Sequence, residues 1–590
     1  MIIASKINNK IIDLHGKQPQ DINTITRNSE EGEELLRHSA AHVLGEVLNH
    51  KYKNIYFATG PVTEFGFYYD VLMNGTLSVN DLPHIENLMK ESIREKKNFL
   101  KENITKQKAI ELFEKDPCKS LILKKIPDGE DISIYTYGNF RDLCGGPHVV
   151  NGHIIGEDFK LTKVSQVTWN GLLLQRVEGI LFFSKERLNK HLEYMEKKNS
   201  IDHRKIGEEC ELFQHLSISQ GNVFWLENGR RLFKTICDYL EEKYIKFNYK
   251  IVKTPLLFQN DLWKTTGHWD KYRENMYITQ DNEVVKPMNC PGHVEIFKIF
   301  SASYKELPIR LGEIAHVHRK EETGALNGLK RACGFHQDDG HIFCTLDEVE
   351  KEIELFMLML DEIYKDFGFE TYEIVLSTRP NNRIGEDDRW NQSEGILIKW
   401  LKDNNKTFRI AEGDGAFYGP KIEIQLKDNF MRKWTCATLQ WDDFLPQRLE
   451  AKYNSYDNEK LYPIMLHRAI LGSIERFIAI LLEHYEGHLP LWITPVQVLV
   501  ISVSEKTSQY AEGIHELLLL KNLKSTLDIS NNTLNSKLKK CLQKKIPYVV
   551  IIGAKEVEEN IITVRNKNIN TSMKIEQFIK TLECKIAEKK

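Results

Sequence analysis

The spacing of apolar and polar positions divides the chain into segments of different rhythm. Within 29–195, helical spacing over Glu33–Asn49 and Ile85–Lys101 is interleaved with short strand-like runs. Lys185–Glu209 is mostly charged and predicts a long, exposed connecting helix. From about 210 to 489, strand-like runs such as Ile309–Ile314, Glu373–Leu376 and Lys421–Leu426 recur without regular strand–helix–strand alternation. That pattern predicts an α+β region with antiparallel strands. The last hundred residues do alternate: Val496–Val503, Leu527–Ile529 and Pro547–Ile552 read as strands, Tyr510–Leu520 and Leu534–Lys544 as helices. A small α/β domain with a largely parallel sheet is expected there. Pro490–Pro495, with a proline at each end, marks its boundary.

Composition narrows the class. At ~100–200 residues per domain, 590 residues predict three to five domains. Hydrophobic residues at 41% and charged residues at 28% exclude wholesale disorder and collagen-like repeats. No run approaches the ~18 apolar residues of a membrane span, and Met1–Lys10 does not read as a signal peptide. Ten scattered cysteines argue against a secreted disulfide framework and for a reducing, cytoplasmic location. The net charge of −3 hides a gradient, because 491–590 carries sixteen Lys/Arg against ten Asp/Glu. A basic tail on an acidic body points weakly to a polyanion, and a solvated lysine-rich surface explains it equally well.

Two groups of residues could do chemistry. Cys290, His341 and His467 form a borderline-soft set that suits zinc with one coordination position open. Spacing alone does not show that they converge. Nearer the N-terminus, His38 and His42 stand one helical turn apart, and Cys144 and His148 lie on a glycine-rich turn. A zinc protease of the H-E-x-x-H type needs glutamate directly after the first histidine, where this chain has Ser39. A pair of satisfied surface histidines accounts for His38 and His42, but less well for all four residues.

Six motifs in order resemble the threonyl-tRNA synthetases, class II aminoacyl-tRNA synthetases, over roughly residues 25–590. They are His-Ser-Ala-Ala-His-Val-Leu-Gly (38–45), Asp-Leu-Cys-Gly-Gly-Pro-His (142–148) and Lys-Pro-Met-Asn-Cys-Pro-Gly-His (286–293). The others are Gly-Phe-His-Gln-Asp-Asp-Gly-His-Ile-Phe-Cys (334–344), Gly-Ala-Phe-Tyr-Gly-Pro-Lys-Ile-Glu (415–423) and His-Arg-Ala-Ile-Leu-Gly-Ser-Ile-Glu-Arg (467–476). The resemblance implies an α+β multidomain chain with three working parts: an α+β editing domain at 29–195, a class II antiparallel-sheet catalytic domain at 210–489 and an α/β anticodon-binding domain at 490–590. A linker helix at 196–209 would precede the catalytic domain, and 1–28 would be a remnant of an N-terminal ubiquitin-like domain.

The same resemblance implies ATP-dependent activation of L-threonine, with magnesium, and transfer to tRNA(Thr) by a cytoplasmic homodimer joined near Pro255. Charge develops on phosphoryl oxygens during activation, which fixed cations stabilise. By resemblance, Arg319 meets the α-phosphate, Glu321 the adenine edge, Phe335 the adenine face and Arg476 the terminal phosphates; Arg331 and Lys421 add cations. His268 would assist proton removal from the ribose hydroxyl. Cys290, His341 and His467 would hold one Zn²⁺ per subunit. Asp339, Gln337, Tyr418 and Gln440 would surround the threonine. Zinc suits the problem: valine is isosteric with threonine, and an apolar pocket separates such pairs by only ~10²-fold. Serine keeps the hydroxyl and lacks one methyl, worth ~1–3 kcal/mol, so hydrolytic editing is expected. His38, His42, Asp142, Cys144 and His148 match the family's editing pocket, which is understood to work without metal. Asn531, Glu556 and Arg565 match positions that read anticodon bases.

Several positions depart from the family pattern. The N-terminal segment is short, Trp169-Asn170-Gly171-Leu172 lacks a customary arginine, Thr435 and Ala437 replace glutamine and glycine, and Cys333 stands where arginine is common. A threonine-adenylating or inhibitor-resistance paralogue is therefore the alternative to an active synthetase. The matched anticodon set favours the synthetase.

Overall fold

The computed structural model describes residues 1–7, 10–14, 24–300, 302–428 and 432–589. It divides into two compact units, Met1–Lys197 and Lys198–Lys590.

The N-terminal unit is built around the helix Glu30–Lys51. Ser29 starts it by accepting the Gly32 N–H, and Glu30, Glu31 and Glu33 place negative charge at its positive end. A four-stranded antiparallel sheet runs in the order Ile55–Phe57, Gly66–Met73, Leu172–Leu181, Phe159–Trp169. A three-stranded sheet is made by Phe99–Ile104, Ile132–Tyr137 and Phe140–Leu143. The N-terminal segment is more than a tail: Ile2–Ile7 lies between Lys10–Asp13 and Thr24–Thr26. Its Ile3, Ala4 and Ile25 share one apolar core with Leu36, Val43 and Leu44 of the helix. Residues 8, 9 and 15–23 of the expected remnant fall outside the described residues.

Two expected helices are corrected. Ile85–Lys101 is instead the helix Leu82–Arg94 followed by the strand Phe99–Ile104. Lys96 takes a left-handed conformation (φ 56°) that ends the helix. Lys185–Glu209 is two helices, Lys185–Ser200 and His203–Glu209. Asp202 caps the second through the Arg204 N–H, and His203, Ile206 and Gly207 are buried rather than exposed.

In the C-terminal unit an eight-stranded sheet runs Lys250–Ile251, Ile309–His318, Gly334–Cys344, Ile464–Ala469, Lys433–Asp442, Lys421–Lys427, Glu373–Ser377, Phe408–Ala411. All pairings are antiparallel except those of the two edge strands, as the irregular strand spacing predicts. One face packs on Glu227–Lys246, Val349–Asp366 and Ile474–His484, whose Ile236, Leu240, Ile353, Leu360, Phe477 and Leu481 belong to a single core.

The tail holds a five-stranded sheet in the order Ser525–Asp528, Val498–Ser502, Tyr548–Ile552, Ile562–Asn566, Ile569–Met573. The first three strands are parallel, but the last two close it as an antiparallel hairpin, so the sheet is mixed rather than largely parallel. Ile569–Met573 is exposed along most of its length, and no apolar run announces it. Among the described residues no helix is long and apolar enough to cross a membrane.

Candidate functional site

The antiparallel register builds one row across the large sheet. Leu311 stands opposite His341, His341 opposite His467, His467 opposite Gln440, and Gln440 opposite Lys421. Directly opposed residues leave the same face, so two imidazoles, an amide and an ammonium share it. Along Gly334–Cys344 the period of two adds Phe335, Gln337 and Asp339 to that face and sends Asp338 to the other. There Asp338 binds the Arg468 guanidinium and accepts the Tyr244 hydroxyl, all three buried. Its second oxygen accepts the Ile470 and Leu471 N–H groups at 2.8 and 2.9 Å, which pins the turn leading to Arg476.

Cys290, at the start of the helix Cys290–Phe300, joins this row: its sulfur and one nitrogen each of His341 and His467 lie within 4.8 Å of one another. Each imidazole turns its outer nitrogen to a fixed partner. His467 Nε2 lies 2.9 Å from Asp442 Oδ2, and His341 Nδ1 lies 2.7 Å from His293 Nδ1. His293 Nε2 contacts Glu313 at 3.2 Å, and Glu313 pairs with buried Lys286. The inner nitrogens, His341 Nε2 and His467 Nδ1, face each other at 3.0 Å. Outer partners of this kind orient imidazoles toward a metal, and one thiol with two imidazoles suits zinc. Beside them Asp339 Oδ2 and Gln337 Oε1 are buried with no hydrogen-bond partner, which leaves acceptors for a polar ligand. Burial pushes the Asp339 carboxyl up to about 6 and the Cys290 thiol upward. Burial also opposes a charge on His467, but the Cys290 and Asp442 charges outweigh it and hold that imidazole up at about 10. The Tyr418 hydroxyl donates to Gln440 Oε1 at 2.7 Å, with its ring 5.3 Å from that of His467.

The nucleotide candidates gather at the neighbouring end of the same strands. The Arg319 guanidinium lies 5.2 Å from the centre of the Phe335 ring, and its Nε donates to Pro287 O at 3.2 Å. Arg331 pairs with Glu321 at 2.8 Å, and Lys421 with Glu423 at 3.0 Å. Arg476 donates through Nε to Lys330 O at 2.9 Å; burial lowers its pKa, and the positive charges of Arg319 and Arg331 lower it further. Three guanidiniums and an acidic residue thus converge beside an aromatic face. His268 is buried, contacts Thr266 Oγ1 at 2.8 Å, and is pushed down to about 4 by burial despite the charge of Asp442, so it is neutral at pH 7.

Two of the departures, Thr435 and Cys333, lie in the same unit as this site. Lys433–Asp442 bulges at Cys436, so that Thr435 opposes Gln425 and takes its amide N–H at 3.4 Å. Cys333 donates its N–H to Gly221 O at 2.7 Å and accepts the Arg319 N–H at 2.8 Å. Its sulfur packs closely on Gly221, where an added Cβ would lie 2.5 Å from it.

A second constellation lies in the N-terminal unit. His38 and His42 leave one face of Glu30–Lys51, while Cys144 and His148 come from the loop after Phe140–Leu143. One ligand-capable atom of each lies within 4.8 Å of the others. Cys144 Sγ is 3.3 Å from His38 Nε2 and 3.4 Å from His148 Nε2. Ser39 Oγ fixes His148 by contacting Nδ1 at 3.3 Å. Burial drives His42 down to about 3, and its Nδ1 is buried without a hydrogen-bond partner. Asp142 lies 3.9 Å from His42 Nε2, accepts the Tyr69 hydroxyl and pairs with buried Lys119.

In the tail, Asn531 and Glu556 follow the carboxyl ends of two parallel strands. Glu556 is anchored by the Gly553 N–H at 2.9 Å and the Thr563 hydroxyl at 2.7 Å. Arg565 lies two residues beyond Thr563, opposite Val549, with its Nε on Lys567 O at 3.2 Å.

Sequence reasoning missed the outer partners Asp442, His293 and Glu313, and the buried Lys119 and Tyr69. The available signal was parity: Asp442 stands two residues from Gln440 on the same strand, and Glu313 stands opposite Asp339.

Family models match the tRNA synthetase class II core domain (G, H, P, S and T) over residues 274–485 and the anticodon binding domain over 497–585. The threonine–tRNA ligase of Ehrlichia canis (strain Jake) is 42% identical over 98% of this chain and 94% of its own length. That of Sulfurihydrogenibium sp. (strain YO3AOP1) is 41% identical over 100% and 94%. A crystal structure titled as the RNA binding domain of threonyl-tRNA synthetase from Cryptosporidium parvum Iowa II aligns with TM-score 0.63 and 38% identity, covering 65% of this chain and 98% of that one.

Proposed function

The chain belongs to the threonine–tRNA ligases, a class II aminoacyl-tRNA synthetase family, and on that premise we propose that it activates L-threonine with ATP and magnesium and charges tRNA(Thr). The observation that carries the site assignment is the cross-strand row His341, His467, Gln440, Lys421, joined by Cys290. Cys290, His341 and His467 are the zinc ligands of this reading; bound there, the ion supplies Lewis acidity toward an amine and a hydroxyl. Asp339 accepts the threonine hydroxyl proton, and Gln337, Tyr418 and Gln440 orient the amino acid. Phe335 stacks on adenine while Glu321 holds its edge. Arg319, Arg331, Lys421 and Arg476 balance the charge that develops on the phosphates, with Arg's planar fork matching phosphate oxygens. His268, kept neutral by burial, takes the ribose hydroxyl proton during transfer.

The N-terminal cluster is the editing site of this reading. His38, His42, Cys144 and His148 hold the 3′ end and position water on a seryl ester, with Asp142 beside them. The neutral His42 and the ordered thiol–imidazole contacts support it. Asn531, Glu556 and Arg565 read anticodon bases. A homodimer formed around Pro255 is supported by exposed Ile251, Leu256 and Leu257 on the flanking segments. Ten free thiols fit a reducing, cytoplasmic setting. Threonine-, serine- and tRNA-dependent turnover measured in one assay tests the reading. Threonyl-tRNA accumulates and seryl-tRNA does not; persistent seryl-tRNA contradicts the editing assignment, and gel filtration at the monomer mass contradicts the dimer.

A further inference from the structure

We propose that the N-terminal hairpin is a wall of the editing pocket, with Ile11 packing against the terminal nucleoside of the mischarged RNA; the inference rests on the editing reading of His38, His42, Cys144 and His148. Ile2–Ile7 pairs antiparallel with Lys10–Asp13, and Ile11 stands opposite Lys6. Opposed residues leave the same face, so both side chains point the same way. The Lys6 ammonium binds the Glu31 carboxylate in the first turn of Glu30–Lys51. Glu31, Leu35 and His38 follow one another along that helix at spacings of four and three, so they share one face.

Between the hairpin and this helix face opens a cavity of about 310 Å³, bounded by Ile11, Glu34, Leu35, His38, Val62 and Pro147. His38 belongs to both cavity and cluster, because its Nε2 touches Cys144 Sγ at 3.3 Å. A ligand in the cavity therefore adjoins the thiol and imidazoles. Cavities of ~300 Å³ and upward suit small ligands of nucleoside size. Apolar walls from Ile11, Leu35, Val62 and Pro147 suit a flat base, and the carboxylate of Glu34 accepts from ribose hydroxyls or an exocyclic amine, while Glu31 serves as the anchor of Lys6. The same Glu34 carboxylate repels phosphate, which favours the terminal nucleoside as occupant and keeps the RNA backbone outside. The wall is fixed rather than loose, since Ile3 and Ala4 of the hairpin are fully buried in the core of the unit. The paired strands Ile2–Ile7 and Lys10–Asp13 are thus assigned to substrate positioning in editing.

Deacylation kinetics of seryl-tRNA(Thr) by the full chain test this. Losing the Ile11 side chain removes packing on the base, so Ile11→Ala raises KM about tenfold with kcat within about twofold. The double variant His42→Ala/Cys144→Ala instead lowers kcat. Lys6→Glu raises KM as Ile11→Ala does, and adding Glu31→Lys restores it, a rescue that general destabilisation does not produce. A retained deacylation kcat reports that the N-terminal unit of the Ile11 and Lys6 variants is folded, and threonylation, which uses residues of the other unit, reports the same of that unit. A KM unchanged in Ile11→Ala and in Lys6→Glu overturns the wall while leaving editing intact. Wild-type protein that leaves seryl-tRNA intact overturns both. A loss in kcat alone overturns the positioning role.

Discussion

Replacing Asp442 by asparagine should weaken zinc binding at the proposed Cys290, His341 and His467 site without disturbing the nucleotide site. Asp442 is buried, and its Oδ1 accepts the Phe444 and Leu445 N–H groups at 2.8 and 2.9 Å. Its Oδ2 lies 2.9 Å from His467 Nε2. An asparagine keeps its oxygen on the two backbone donors, which turns its amide N–H₂ toward His467. That group cannot accept a hydrogen bond from Nε2, so the imidazole, once deprotonated to bind a metal, must keep its one proton on Nδ1, the nitrogen that faces His341. Loss of such an outer partner weakens metal binding ~10- to 100-fold, or about 1.4–2.8 kcal/mol. The assay is zinc content in a zinc-buffered dialysis, followed by pyrophosphate exchange. Asp442→Asn should lose zinc at a tenfold or higher free-zinc level than wild type and raise the threonine KM, with the ATP KM unchanged. Wild-type zinc retention, or an effect on ATP alone, refutes the tautomer argument.

Phe335→Ala should raise the ATP KM by ~5- to 150-fold, from ~1–3 kcal/mol of base stacking, with threonine binding unchanged in pyrophosphate exchange. Glu483→Gln breaks a buried group that holds Lys330 at 2.6 Å and His203 at 2.8 Å. Losing it costs ~3–5 kcal/mol in denaturant unfolding; because Lys330 O receives Arg476, the ATP KM rises as well. Burial holds His42 at about 3 against an ordinary 6.5, so below 6.5 the folded state binds fewer protons than the unfolded chain. Stability of the N-terminal unit therefore falls as pH drops from 6.5 toward 3. His42→Asn should flatten that slope between pH 7 and 5 in thermal unfolding; an identical slope contradicts the assignment.

Part of the large sheet was legible, since Ile309–Ile314, Glu373–Leu376 and Lys421–Leu426 read as strands and the structure holds strands there. Gly334–Cys344 was legible only as a motif; that Phe335, Gln337, Asp339 and His341 share one face follows from the strand the structure shows there. What held Cys290, His341 and His467 together was not legible, since it depends on the register between two strands and on a helix start far apart in sequence. The same holds for Lys119 on Asp142 and His293 on His341, where a buried charge or imidazole gives no local signal. The exposed hairpin strand Ile569–Met573 escaped because its pattern is polar on both faces. Lys185–Glu209 misled in the opposite sense: its charge density resembles a solvated helix, yet His203 is buried on Glu483.

The central claim is that a hydroxyl-reading metal site built by Cys290, His341 and His467 selects threonine. Its most direct test is pyrophosphate exchange with threonine and valine, on wild type and on Cys290→Ser, with zinc quantified in each. The account predicts that wild type prefers threonine by far more than the ~10²-fold an apolar pocket gives, and that Cys290→Ser loses both zinc and threonine-dependent exchange. Full exchange by Cys290→Ser, or valine activated within that factor by wild type, would contradict it.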